Sequence, residues 1–205
     1  MRQKTEQELF WEGQFGSEYT ARNRDLAQSR EPFFSKILAL VPDVQTICEL
    51  GSNRGENLTA LRALDPNLKL TGVEVNPVAV EHLREISGVE AVHSSIQDFQ
   101  TSQHFDLVFT SGVLIHLNPD DLPQVYRKMA ALSERYVMIN EYYNPSPTEI
   151  LYRGNTGKLF KRDFAGEFLD NTDGLFSVVD YGFLWNRMNP AWDNTTWVLM
   201  KKNTL

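Results

Sequence analysis

A carboxylate, two glycines and two small polar side chains share the stretch Glu49-Leu50-Gly51-Ser52-Asn53-Arg54-Gly55, and a second carboxylate, Glu74, closes the next apolar run. Such residues suit the binding of a nucleoside. Glycines let backbone N–H groups approach a ligand closely, and a carboxylate accepts hydrogen bonds from both hydroxyls of a ribose. The spacing narrows the choice of nucleoside. A dinucleotide fingerprint places glycines at the first, third and sixth positions of the turn. Counted from Gly51, those positions hold Gly51, Asn53 and Glu56, so two of the three fail. The turn therefore reads as a seat for a nucleoside without a pyrophosphate.

The elements that must hold these residues follow from the apolar spacing. Thr46-Ile47-Cys48-Glu49-Leu50 is a β-capable run, and Leu58 to Leu64 has helical spacing, so the turn lies between a strand and a helix. In doubly wound sheets that is where ligands bind. A helix over 32–40 precedes the strand, stopped before Pro42. Leu70 to Val75 predicts a second strand, Asn76-Pro77 opens a helix over 78–86 with proline in an early position, and Val89 to His93 predicts a third strand. Phe105 to Phe109 is a fourth strand with a polar exit, Thr110-Ser111-Gly112. A helix from Pro119 to about Leu132 and a fifth strand over 135–140 follow. This alternation predicts a parallel sheet with right-handed crossovers. Two further β-rich runs, Phe176 to Trp185 and Thr195 to Lys201, end the pattern.

Three motifs carry a family resemblance: Glu49 to Gly55, then Gly72-Val73-Glu74-Val75-Asn76, then Phe105 to Phe109 with Gly112-Val113-Leu114-Ile115-His116-Leu117. Over about residues 45 to 140 the chain resembles the S-adenosylmethionine-dependent methyltransferases of the Rossmann-like class. The resemblance implies one α/β domain over residues 1–205, a three-layer α/β/α fold. Its sheet would be mostly parallel and seven-stranded, closed by an antiparallel C-terminal hairpin. It implies S-adenosylmethionine as cofactor, with S-adenosylhomocysteine as product. It further implies cofactor contacts from Glu49, Gly51, Ser52, Asn53 and Gly55, from Glu74, Val75 and Asn76, from Ser95, Ile96 and Gln97, and from Thr110, Ser111 and Gly112. Family members often carry an acid at the Ser95 position to receive the adenine amino group. This chain departs there, leaving Asp98 or the Gln97 amide as substitutes, although Asp98 suits a turn cap equally well.

Sulfonium methyl transfer needs mainly alignment and the exclusion of water, and a base only for some nucleophiles. On the rim expected for this topology stand His116, Glu141 and Tyr143 as catalytic candidates. His116 suits either a base or a wall of the cofactor site, and Glu141 either a base or a support for its neighbours. Residues 1–30 read as a lid or cap segment in which Trp11, Phe15 and Tyr19 recur every four positions; Tyr19, Arg22 and Asn23 offer polar contacts, and packing on the sheet edge is the alternative. Residues 142–165 read as a substrate-side loop insertion, with Tyr142, Tyr152, Arg153, Lys158 and Lys161 as acceptor ligands. Together with Arg162 these make a basic cluster in an acidic protein, suited to a phosphate or carboxylate, or else simply solvated.

Over nearly the whole chain the sequence is also similar to a bacterial group of methylases associated with pseudaminic acid biosynthesis. That resemblance implies an activated or acidic sugar as methyl acceptor. The 205 residues carry a net charge of -7, which argues against holding nucleic acid through phosphates. A nucleic-acid or protein methyltransferase, and a non-catalytic nucleoside-binding scaffold, are the competing readings. No apolar run has the length of a membrane span and no signal-like core opens the chain, so a cytoplasmic protein is expected. Cys48 is the only cysteine, which excludes an intrachain disulfide and a four-cysteine zinc site, and no metal is expected.

Overall fold

A computed structural model describes residues 2–204. Helices α1 (Glu6–Glu12), α2 (Gln14–Arg22) and α3 (Ala27–Leu40) precede the alternating body of β1 (Thr46–Leu50), α4 (Glu56–Leu64), β2 (Lys69–Glu74), α5 (Pro77–Arg84), β3 (Val89–His93), β4 (Phe105–Ser111), α6 (Leu122–Leu132) and β5 (Ser133–Glu141). The short strands β6 (Thr148–Glu149) and β7 (Phe160–Lys161), helix α7 (Phe164–Asp170), and strands β8 (Phe176–Leu184) and β9 (Thr195–Lys202) complete the chain. Seven strands form one sheet in the order β3-β2-β1-β4-β5-β9-β8, parallel as far as β5 and antiparallel beyond it. The expected mostly parallel seven-stranded sheet with a C-terminal hairpin is thus present.

Alternate residues of the strands enter opposite cores, as a two-residue repeat requires. Ile47, Leu107, Phe109, Tyr136, Met138 and Leu199 meet Phe33, Phe34 and Ile37 of α3 and Leu58 and Leu61 of α4. Cys48, Val108, Val137, Ile139 and Met200 meet α6 and α7 through Val125, Tyr126, Met129 and Phe168. β1 lies between β2 and β4, which are reached in opposite directions along the sheet. That is the point where the carboxyl ends part into a crevice.

Two local differences from expectation have physical causes. Helix α3 starts at Ala27 rather than Pro32, so Pro32 falls inside it. The Glu56 carboxylate at the start of α4 accepts hydrogen bonds from the backbone N–H groups of Asp25, Leu26 and Ala27 (3.1, 2.7 and 2.8 Å). This caps the earlier helix from a distant part of the chain. The 142–165 segment is not all loop: Thr148 pairs with Lys161 and Glu149 with Phe160 in a small antiparallel ribbon. At the N-terminal end, Gly13 breaks the aromatic stripe into two helices, and Gly16 lets α2 close on α1, since a Cβ there would lie 1.8 Å from the Trp11 carbonyl oxygen. Among the described residues no helix is long and apolar enough to cross a membrane, and no cluster of three or more metal-ligating side chains occurs.

Replacing Glu56 with alanine strands three N–H groups. We expect a loss of about 1–2 kcal/mol of unfolding free energy in urea titrations, with Glu56→Gln losing less because it keeps an acceptor. Equal stability of Glu56→Ala and wild type would show that water replaces the cap.

Candidate functional site

The carboxyl ends of β1, β2 and β4, with the residues after β3, open into a cleft roofed by α1 and α2. Its wall runs from Ser111 and Gly112, past Gly51, Ser52 and Asn53, to Glu74 and Val75 and then to Ser95, Ile96 and Gln97. Trp11 and Tyr19 line it from the roof, and His116 closes one end. A concave site at the carboxyl ends of parallel strands, lined by a few convergent polar groups, suits a small-molecule ligand.

The turn after β1 is shaped by close contact. Gly51 has φ +78°, and a Cβ there would lie 2.6 Å from the Val113 methyl carbons; its N–H bonds the Val73 carbonyl at 2.8 Å. Asn53 is also left-handed, at φ +48°, and its N–H donates to Glu74 Oε2 at 2.7 Å. Glu74 Oε1 accepts from the Asn76 N–H, also at 2.7 Å. Each carboxylate oxygen keeps a further lone pair for a ligand hydroxyl. Burial raises the Glu74 pKa, and these N–H bonds oppose the rise.

Glu49 is 1% exposed. Its Oε1 accepts from Asn57 Nδ2 at 2.5 Å, while Oε2 is buried with no hydrogen-bond partner. Burial pushes its pKa up to about 8, against the Asn57 hydrogen bond and the nearby Arg30 charge. Arg30 donates from Nη1 to Asn57 Oδ1 at 2.7 Å and lies 4.7 Å over the Trp192 ring, and its Nε is likewise unpartnered. One buried acceptor and one buried donor therefore stand unfilled within a single chain of side chains in the cleft wall. That set fits a zwitterionic amino-acid end, with the ammonium at Glu49 and the carboxylate at Arg30.

His116 is buried, 2.7 Å from the Lys158 carbonyl oxygen through Nδ1. A carbonyl only accepts, so Nδ1 carries the proton and Nε2 keeps its lone pair. Burial lowers the His116 pKa to about 4, so the ring is neutral near pH 7. Trp11 and Tyr152 pack on it at centroid distances of 4.4 and 5.1 Å.

Several residues expected in the site lie elsewhere. The Glu141 carboxylate accepts from the N–H groups of Val113 (3.0 Å), Leu114 (3.1 Å) and Ile115 (3.4 Å). It holds the turn that carries His116 and does not line the cleft; burial pushes its pKa up to about 7. Tyr143 is 51% exposed beside a small separate recess with Arg162 and Asp163. Arg22 is exposed, 4.0 Å from Glu18, because its turn of α2 faces outward. Thr110 is fully buried within β4, and Gly55 caps α4 beneath the turn. Asn76 reaches the cleft wall, but its side chain is engaged: Oδ1 caps α5 and Nδ2 donates to the Trp11, Glu12 and Gly13 carbonyls.

The basic cluster largely dissolves. Lys158 is buried in an ion pair with Glu6, and Arg162 bonds Glu167 at 2.7 Å. Lys161 lies 5.1 Å from the Tyr142 ring centre and Arg153 5.9 Å from that of Tyr152, neither in an ion pair among the described residues. Tyr152 joins the roof against Trp11 and Phe15. Asp98 is exposed and bonds Arg2 and Ser95. Sequence reasoning missed Glu8, Arg30 and Asn57, all of which line the cleft. Arg30 carries no local signal, since Ser29-Arg30-Glu31 reads as ordinary helix surface.

Residues 47–135 match a family model described as a methyltransferase domain. A curated relative, the tRNA1(Val) (adenine(37)-N6)-methyltransferase of Flavobacteriaceae bacterium (strain 3519-10), is 29% identical over 103 residues, 47% of this chain and 45% of that protein. The chain thus spans about half the length of that relative. The fold is shared with the 1,6-didemethyltoxoflavin-N1-methyltransferase of Burkholderia thailandensis, solved with S-adenosylhomocysteine (16% identity, TM-score 0.68, 92% of this chain and 87% of that one). It is shared equally with the magnesium protoporphyrin IX methyltransferase of Synechocystis PCC 6803, solved with S-adenosylmethionine (10%, TM-score 0.68, 99% and 100%). The sugar N-methyltransferase KedS8 of Streptoalloteichus sp ATCC 53650 has it too (13%, TM-score 0.67, 100% and 96%).

Glu49 binds its proton more tightly folded than unfolded. Its contribution to stability is therefore full below the ordinary carboxylate pKa of 4.5 and is lost as pH rises towards about 8. We expect the melting temperature of cofactor-free protein to fall between about pH 5 and about pH 8, and Glu49→Gln to flatten that fall. An unchanged slope in Glu49→Gln would place the titration elsewhere.

Proposed function

We propose that this protein is an S-adenosylmethionine-dependent methyltransferase acting on an oxygen or nitrogen of a small anionic acceptor, an activated or acidic sugar of the nonulosonic type; the match of residues 47–135 to a methyltransferase-domain model supports the reaction class. The observation that carries the cofactor reading is the unfilled Glu49 Oε2 in the cleft wall, in one chain with Arg30 and next to the turn that leads to Glu74. Glu49 would hold the ammonium, Arg30 the carboxylate, and Glu74 the ribose hydroxyls. Ser111 and Gly112 would line the stretch between amino acid and sulfur. Bound there, the cofactor supplies a methyl group already activated on a sulfonium.

What the chain adds is alignment and dryness. The roof of Trp11, Tyr19 and Tyr152 keeps water from the His116 end of the cleft. A hydroxyl nucleophile loses its proton as the new C–O bond forms, and a neutral amine becomes an ammonium that loses one after the C–N bond forms, with S-adenosylhomocysteine as the leaving group. His116 Nε2 offers an acceptor of low basicity for this proton, suited to one that is already acidic in the transition state. Lys161 and Arg153 remain as counter-charges for an anionic acceptor. The sugar acceptor is supported by neighbours in fold such as KedS8 and CalS10, an amino pentose methyltransferase from Micromonospora echinaspora. The curated relative that acts on tRNA favours a second reading, a nucleic-acid acceptor, against which the net charge of -7 weighs.

Calorimetric titration with S-adenosylmethionine and S-adenosylhomocysteine tests the cofactor, with micromolar binding expected. Glu74→Ala should weaken binding by roughly 10- to 100-fold, about 1.4–2.7 kcal/mol. Wild-type affinity in that variant would remove the ribose assignment. In transfer assays with labelled cofactor over a panel of acidic and nucleotide-linked sugars, Arg153→Ala should raise acceptor KM while leaving cofactor affinity unchanged.

A further inference from the structure

We propose that the base of the bound nucleoside is read by Glu8, an acid delivered by α1 rather than by the sheet, acting with Gln97. The proposal rests on the cofactor reading above. In the strand order β3-β2-β1-β4, the Glu49 end of the cleft sits at β1 and the ribose carboxylate Glu74 at β2. A nucleoside extended between them places its base past β3, against Ser95, Ile96 and Gln97. The sheet provides no acid facing the ligand there: position 95 is a serine, and Asp98 is exposed.

Two acceptors stand at that end. Gln97 is 8% exposed and lines the cleft. Its Nε2 donates to Asp121 Oδ2 at 3.1 Å, which fixes the amide orientation, and its Oε1 is buried with no partner. Glu8 is 4% exposed and also lines the cleft. It is clamped in place. Arg2 grips both its oxygens, with Nη1 to Oε2 at 2.7 Å, and the Thr5 N–H donates to Oε2 at 2.8 Å in a capping box. Arg2 in turn is tied to the loop after β3, through Nε to Asp98 Oδ1 at 2.9 Å and Nη2 to Ser95 Oγ at 3.1 Å. The clamp leaves a lone pair on Glu8 Oε1. Arg2 and Thr5 outweigh burial and hold Glu8 ionised, so it accepts hydrogen bonds and does not donate them.

A carboxylate and an amide oxygen together favour a base edge that donates. A 6-aminopurine offers both hydrogens of its exocyclic amine, one to each acceptor; a 6-oxopurine offers only its N1–H, and its carbonyl oxygen would face the second acceptor across a dry gap. The site is thereby selective for the amino form.

The test titrates wild type, Glu8→Gln and Gln97→Leu with S-adenosylhomocysteine and with its 6-oxo analogue, S-inosylhomocysteine, after circular dichroism has shown each variant to be folded. Wild type should prefer the amino form by roughly 100-fold. Glu8→Gln gains an N–H₂ that can turn to a 6-oxo group, and should reduce the preference about tenfold. Gln97→Leu, far from the α1 clamp, should reduce it as well. A merely structural role for either side chain would weaken both ligands alike and leave the ratio unchanged. S-adenosylhomocysteine binding with the ratio unmoved in both variants would overturn this assignment alone. Failure of wild type to bind S-adenosylhomocysteine at all would overturn the cofactor reading and this assignment with it.

Discussion

The Glu141 carboxylate, buried at the end of β5, accepts hydrogen bonds from three successive backbone N–H groups at Val113, Leu114 and Ile115. Consecutive N–H groups at the start of a helical turn converge on one point, and an anion there satisfies donors that otherwise have no partner. The site hangs on that pin. Val113, fixed by it, fills the space that a side chain at Gly51 would need and so shapes the turn facing the ligand. His116, on the same turn, is held at the closed end of the cleft with its Nδ1 proton on the Lys158 carbonyl. A carboxylate that does not line the cleft sets both the backbone that faces it and the imidazole in its wall.

Burying so many acids in the crevice has a cost, which the chain meets in different ways. Glu141 and Glu74 are supplied with backbone donors, and Glu8 with an arginine. Glu49 has one amide and nothing on its second oxygen, so in cofactor-free protein it is the least compensated of the four. A buried polar atom left without a partner is unfavourable until one arrives, so this oxygen is a point in the cleft wall where a ligand hydrogen bond would gain most.

The sheet was legible because its signals are local. A two-residue apolar repeat, glycine turns and a proline after Asn76 each act over a few residues, and the strand boundaries follow them closely. The start of α3 was not legible, because its cap is a side chain from α4. Glu141 was correctly located at the end of a strand, but which way its carboxylate turns depends on where 113–115 lie, and that depends on the pairing of β4 with β5. The basic run at 153–162 suggested a patch of positive charge. Charge in a sequence carries no record of its partners, and Glu6 and Glu167 neutralise half of it across tertiary contacts. Arg30 escaped notice for the same reason, since its partners Asn57 and Trp192 lie far along the chain; Glu8 has a local signal, the Thr5–Glu8 capping box, but its place in the cleft wall depends on how α1 docks.

The roof segment makes its bonds at long range: Arg2 to Ser95 and Asp98, Gln7 to the Gly157 carbonyl, and Lys158 back to Glu6. During synthesis α1 and α2 leave the ribosome before any strand of the sheet exists, and the loop after β3 and the 157–158 turn appear much later. Bringing ends so far apart together carries a loop-closure penalty that only a formed sheet can offset. The earliest part of this region to be made is therefore the last to be placed, and until then its aromatic residues, Phe10, Trp11 and Phe15, travel without a partner surface. A nascent chain stalled within β5 would carry the crevice and the Asn76, Ser95 and Asp98 partners of the roof, but not the 157–158 turn that fastens its outer side.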